Sequence, residues 1–166
     1  MRNVRSYIQA HNQQLLEQLN GFQDDELHHC NCRNKADCPL NGKCLTSNVI
    51  YKASVTTSSG TKDYIGSTGG TFKTRYYGHK RSFAHQSKRL STELSKHVWN
   101  AKDRGEKPAI SWSIVYQTKR SGDSIPRTCS TCNLERIAIA TADRRRSLNK
   151  RSELTGACVH FRKSYF

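Results

Sequence analysis

Apolar positions recur along this chain at two different periods. Over residues 49–56 (VIYKASVT), Val49, Tyr51, Ala53 and Val55 alternate with other residues, the two-residue period of a strand. Ser58-Ser59-Gly60 is a turn signal, and residues 62–66 (KDYIG) form a short second strand, so the two predict a hairpin. Thr68-Gly69-Gly70-Thr71 is expected to break that strand, with Thr71 capping a helix over 72–86. A second helix is expected over 91–102, with Leu94, Val98 and Trp99 inward. Residues 110–117 (ISWSIVYQ) alternate again and place Ile110, Trp112, Ile114 and Tyr116 on one face of a third strand. A polar loop over 120–128 precedes a last helix over about 131–142, with Leu134, Ile137 and Ala138 buried. Upstream, Val4, Ile8, Leu15 and Leu19 make a narrow apolar stripe on a helix over 4–20 that Gly21 stops, which suits an appendage. The order β-β-α-α-β-α predicts a small α+β domain with a mixed or antiparallel three-stranded sheet flanked by helices.

Residues 30–44 fit neither period. Cys30, Cys32, Cys38 and Cys44 stand among Asn, Lys, Asp, Pro and Gly, with almost nothing to bury. A metal would supply the order that burial cannot, and four thiols in this stretch suffice for tetrahedral Zn²⁺. A second set is Cys129-x2-Cys132 with Cys158-x-His160. It predicts a Cys3His site tying the start of the last helix to the C-terminal tail. Seven cysteines, an odd number for disulfides, then divide into four and three, with His160 completing the second set. Both ions would be structural, because four protein ligands leave no open position. The expected organisation is an N-terminal helix or linker (1–29), a cysteine-rich zinc segment (30–46) and a domain over 47–166.

Charge narrows the partners. Lys and Arg number 28 against 13 Asp and Glu, a formal charge of +15 on 166 residues. Hydrophobic residues are 34%, so the core is modest. Met1-Arg2-Asn3-Val4-Arg5 leads into a polar stretch and not an apolar one, and no run nears the roughly 18 apolar residues of a membrane span. An intracellular protein with a polyanionic partner is expected, nucleic acid being the commonest. Lys73, Lys80, Arg81, Lys88 and Arg89, with Arg144, Arg145, Arg146, Lys150 and Arg151, form the expected phosphate track.

Arg75 and His79 are i and i+4 and share a helix face. Tyr64 ends the strand before that helix, Tyr51 lies on its hairpin partner, and Glu135 is a lone carboxylate on the last helix. Singly, each has a plain alternative: strand tyrosines pack, basic helix faces are solvated, and Asn149 caps a turn. Together they resemble the GIY-YIG endonucleases. Val49-Ile50-Tyr51 resembles that family's first motif and Tyr64-Ile65-Gly66 its second. Arg75 and His79 resemble the Arg and the His or Tyr one turn later, and Glu135 and Asn149 its downstream metal-binding Glu and Asn. The resemblance covers about residues 30–160 and extends to the nuclease segment of mobile genetic elements, Penelope-like retroelements among them. Val49 replaces the first Gly, Ser67 stands where some relatives carry Lys, and no Cys lies between the motifs.

What the resemblance implies is a DNA endonuclease that hydrolyses phosphodiester bonds. Mg²⁺ or Mn²⁺ on Glu135 would polarise a phosphoryl oxygen, and Arg75 would clamp the phosphate. Tyr51 would be general base or water positioner with Tyr64 in support. His79 would share or relay the proton, and Asn149 would orient Glu135 or the hairpin. DNA, a fused or associated reverse transcriptase and element RNA are the implied partners, and the nucleus the implied place. The rival is a catalytically inactive zinc-binding nucleic-acid-binding module.

Overall fold

The computed structural model describes residues 30–118, 129–155 and 158, with Ala10 alone upstream. The helix expected over 4–20, the 120–128 loop and His160 lie outside the described residues. The elements are β1 (Ser47–Thr57), β2 (Gly60–Thr71), α1 (Phe72–Ala84), α2 (Glu93–Asp103), β3 (Ala109–Gln117) and α3 (Ser130–Thr141). The three strands form one antiparallel sheet in the order β2-β1-β3. The fold is thus α+β, and among the described residues the one parallel pairing is a bridge between Asp63 and Ser147. No helix among the described residues is long and apolar enough to cross a membrane.

β1 is central and buries both faces, so Val49, Ile50, Tyr51, Ala53 and Val55 are all enclosed. α1 and α2 cover one face, where Phe72, Leu94 and Val98 pack on Val49, Tyr51, Ala53 and Val55. α3 covers the other, setting Ala138 on Ile50 and Ile65. Sandwiching a small sheet between helices gives a chain with few apolar residues two thin cores. Leu40, from the cysteine-rich segment, joins the first core. That segment is therefore packed on the domain as well as preceding it.

Two details correct the alternation reading. β2 does not stop at Gly66; it runs through Gly69-Gly70 to Thr71, absorbing an irregularity between the pairs Ser47–Thr71 and Val49–Thr68. β3 carries a bulge, since Tyr51 pairs with Ile114 while Ile50 pairs with Tyr116. The extra residue, Val115, reverses facing. Ile110, Trp112 and Ile114 therefore pack with α1 and α2, but Tyr116 packs under α3. Trp99 is half-buried: its Nε1 donates to the Ser82 carbonyl at 2.9 Å, and Lys102 lies over its ring.

Candidate functional site

Pairing of Tyr51 with Gly66 and of Ala53 with Tyr64 puts both tyrosines on the face under α1. α1 begins immediately after β2, and Thr71 caps it by accepting from the Thr74 amide. Because Arg75 and His79 are one turn apart on the inner face, both reach one hydroxyl. Arg75 Nε donates to Tyr51 Oη at 2.9 Å, and Tyr51 Oη lies 2.8 Å from His79 Nε2. With the guanidinium donating to the phenol oxygen, the phenol proton goes to His79. This requires an unprotonated Nε2 and a neutral Nδ1-H imidazole. Burial of the protein's surfaces here is near complete, with Tyr51 0% and Tyr64 7% exposed.

Burial pushes the Tyr51 phenol up, although Arg75 opposes it. Tyr64 rises for the same first reason, with Tyr51 and Glu153 adding to it. Burial works against the Arg75 cation, but Tyr51 and Tyr64 beside it, with Glu135, hold it charged. Burial, reinforced by Arg75, holds His79 down to about 3.

That last shift has a testable sign. A histidine titrating near 6.5 when unfolded takes up its proton there first, so stability falls as pH drops below about 6.5, by up to about 1.4 kcal/mol per pH unit. Urea midpoints at pH 7.5 and 5.5 should drop more in the wild type than in His79→Gln. An equal drop in both would show that another group titrates.

Gly66 is dictated by the same packing. A Cβ there would meet Tyr51 Oη at 2.5 Å, Tyr51 Cζ at 2.8 Å and Tyr64 Cε1 at 3.0 Å. Only glycine allows the phenol to lie against the β2 backbone.

Glu135 arrives from the opposite face of the sheet. Its Oε2 accepts from Ser67 Oγ at 2.8 Å, and its charge raises Tyr51 and Tyr64 and favours charged Arg75. The carboxylate therefore rests on Ser67 of β2, close enough for its charge to act on the two phenols and the guanidinium. It is half-buried, and Ser67 is its hydrogen-bond partner among the described residues. Asn149 follows a segment that runs beside β2, where the Asp63 amide donates to Arg146 O and the Leu148 amide to Asp63 O, each at 2.8 Å. Its side chain then continues the ladder. Oδ1 accepts from the Ile65 amide and Nδ2 donates to the Ile65 carbonyl, each at 2.8 Å. Of the two expected targets, Asn149 thus holds the hairpin, between Tyr64 and Gly66.

Glu153 was not among the expected residues. Asn149 Nδ2 also donates to its Oε2. Burial raises its carboxyl, with Glu135 and Glu93 adding to the effect although the Asn149 bond opposes it. The available sequence signal was its place four residues after Asn149. Ser67, noted only as a departure, is the hydroxyl that orients Glu135.

The first four cysteines converge. Their Sγ atoms all lie within 4.8 Å of one another. Cys30–Cys38 is 3.7 Å, Cys32–Cys44 3.6 Å and Cys30–Cys44 3.5 Å. Tetrahedral Zn–S bonds of about 2.3 Å imply sulfur separations of about 3.8 Å. The cluster can therefore hold a metal ion such as zinc. Backbone amides support it, Cys32 N donating to Cys30 Sγ at 3.3 Å and Gly42 N to Cys38 Sγ at 3.1 Å. Cys129, Cys132 and Cys158 form a second such cluster, with Cys129 also capping α3.

The expected phosphate track divides. Lys73 Nζ donates to Asn31 Oδ1 at 2.6 Å and to Cys32 Sγ at 3.5 Å. Arg89 is paired with Asp103, Arg146 with Asp63 and Lys150 with Glu93. These four are tied to groups of their own chain. Lys80, Arg81, Lys88, Arg144 and Arg145 are exposed, and the Arg151 side chain lies outside the description. No family model, curated protein or solved structure matches this chain.

Proposed function

We propose that this chain is a metal-dependent DNA endonuclease of the GIY-YIG type, the nuclease part of a mobile element that nicks or cuts its target. One observation carries the reading. Arg75, Tyr51 and His79 form a continuous hydrogen-bonded chain, and Glu135, held by Ser67 on the other face of the sheet, is close enough for its charge to act on Arg75 and Tyr51. DNA in the nucleus, with an associated reverse transcriptase and element RNA, belongs to the same proposal.

Hydrolysis needs a deprotonated water, charge stabilisation on the phosphate and a protonated leaving oxygen. Tyr51 takes the water proton as its own passes to the neutral His79 Nε2. The water oxygen bonds to phosphorus, the ester bond to the leaving oxygen breaks, and that oxygen takes a proton from solvent. Arg75 holds the phenol through Nε, leaving its Nη groups to clamp the phosphate. Tyr64 walls the phenol from one side, while Asn149 keeps Tyr64 and Gly66 in register. Glu135, oriented by Ser67, would hold Mg²⁺ or Mn²⁺, which supplies Lewis-acid polarisation when bound. Zn²⁺ in the two thiol clusters would fix the starts of α1 and α3, and so Arg75, His79 and Glu135. His160 stays in this proposal as the fourth ligand of the second cluster.

The enclosure of Tyr51 favours a second reading, a catalytically inactive zinc-binding nucleic-acid-binding module. In that case the phenol is core and Glu135 idle. Incubating the zinc-loaded protein with supercoiled plasmid and Mg²⁺ or Mn²⁺ separates the two. Nicking that falls by about a hundredfold or more in Glu135→Ala supports the nuclease. Salt-sensitive binding without strand breaks supports the module. Nicking unchanged in Glu135→Ala removes that residue from the reaction.

A further inference from the structure

From Tyr64 to Thr92 the chain has no acidic residue, but six lysines and arginines. Much of that span is α1, whose inner face is committed to Tyr51 and the core. Its outer face is different. Tyr77 is 55% exposed, a large aromatic ring turned to solvent. Lys73 and Arg81 are one turn before and after it, and Lys80 is three residues on. Lys80 Nζ sits 5.7 Å from the centre of the neighbouring Tyr76 ring, and the Tyr76 and Tyr77 rings lie 5.7 Å apart. Lys80 and Arg81 make no ion pair among the described residues, whereas Arg89 does with Asp103. At roughly 100° per residue, Tyr77 lies about 160° around the helix from both Arg75 and His79. This face is therefore turned away from the Arg75–Tyr51–His79 hydrogen bonds.

We propose that the outer face of α1, centred on Tyr77, docks single-stranded nucleic acid, on a surface separate from the Arg75–Tyr51–His79 group. Lys80 and Arg81, free of ion pairs among the described residues and within one turn of Tyr77, offer cations to a phosphate, and the exposed ring beside them offers a stacking face to a base. The base must be unstacked to use it, which selects single strands over duplex. A lipid surface fits poorly, because a membrane-lying helix needs a continuous apolar face, and Tyr77 is flanked by exposed Thr74 and Gly78. The inference adds a strand-holding surface to the proposed nuclease but does not depend on cleavage.

Anisotropy of a labelled oligothymidylate, with the full zinc-loaded chain and no Mg²⁺ or Mn²⁺, tests it. Tyr77→Ala should weaken binding by roughly tenfold, the worth of one stacked base, and Tyr77→Phe should restore it. Lys80→Ala with Arg81→Ala should reduce the salt slope by about 1.4. All these side chains are solvent-facing, so thermal melts should match wild type. Three results overturn the inference. One is wild-type affinity in Tyr77→Ala, and another is an equal Tyr77 dependence on duplex DNA. The third is vesicles rich in phosphatidylserine bound as tightly, with the same Tyr77 dependence. Cleavage does not enter the measurement, so a failed plasmid assay leaves these outcomes readable.

Discussion

Cys44→Ser should strip the first thiol cluster of its zinc and lower the midpoint of the unfolding transition. Cys44 is fully enclosed and its sulfur lies beside two of the other three. The segment around it has few apolar contacts, so ligation supplies its order. The loss would spread because this segment starts α1. The Phe72 amide donates to Thr46 O at 2.9 Å and the Lys73 amide to Cys44 O at 2.7 Å. Two of the four amides that a helix N-terminus leaves unpaired are thus satisfied by the cysteine segment. Freeing it loosens the turn that carries Arg75. Elemental analysis should find one zinc ion per cluster in the wild type and the first cluster's ion missing from the variant. A melting midpoint lower by about 10 °C or more should accompany the loss, since structural zinc contributes many kcal/mol to folding. Folded wild type without zinc, or a variant with unchanged metal and melting, would defeat this account.

Gly66→Ala should be the most damaging conservative change in the sheet. The added methyl would stand 2.5 Å from Tyr51 Oη. The phenol cannot swing away, because Arg75 and His79 hold its hydroxyl and Phe72 and Trp112 lie against its ring, with centroids 5.3 and 5.9 Å away. Overpacking of this kind costs about 1–3 kcal/mol, or a midpoint lower by roughly 2–12 °C. The Arg75–Tyr51–His79 bonds would stretch first, so any plasmid nicking should fall further than stability. Gly78→Ala makes the control: nothing lies within 4 Å of its Cβ, and it sits inside α1. That variant should gain about 0.5–1 kcal/mol. A Gly66→Ala protein that melts and nicks like wild type would show slack around the phenol that these distances do not leave.

How much of this was legible depends on the range of the interaction that sets each feature. The helix over 72–84 follows from Thr71 and the residues after it, because capping and i, i+4 spacing are local. Arg75 and His79 were paired on one face for that reason. The hairpin followed from alternation around Ser58-Ser59-Gly60, whereas the shared facing of Tyr51 and Tyr64 came from its register, which pairs Tyr51 with Gly66 and Ala53 with Tyr64. The bulge at Val115 was not legible. IVY reads as continuous alternation, yet Val115 and Tyr116 both pack under α3, an arrangement set by the register of β3 against β1. Glu153 escaped for a related reason. Its importance comes from Asn149 and Glu135, which meet it only after the 146–149 segment has paired with β2. Lys73 and Arg89 looked like phosphate ligands because a sequence lists charges without their partners. Asn31, Cys32, Asn100 and Asp103 became those partners through folding.

The sequence by itself determined the element order, the two apolar periods, the grouping of cysteines and the excess of positive charge. Each of these is set by neighbours along the chain or by simple composition. Tertiary structure alone decided that Tyr51 is enclosed and bonded to both Arg75 and His79, and that Gly66 must lack a side chain. It also decided that Asn149 grips the β2 backbone and that Tyr77 is left outside. Those facts depend on atoms many residues apart meeting within a few ångströms, a distance that one-dimensional spacing does not specify.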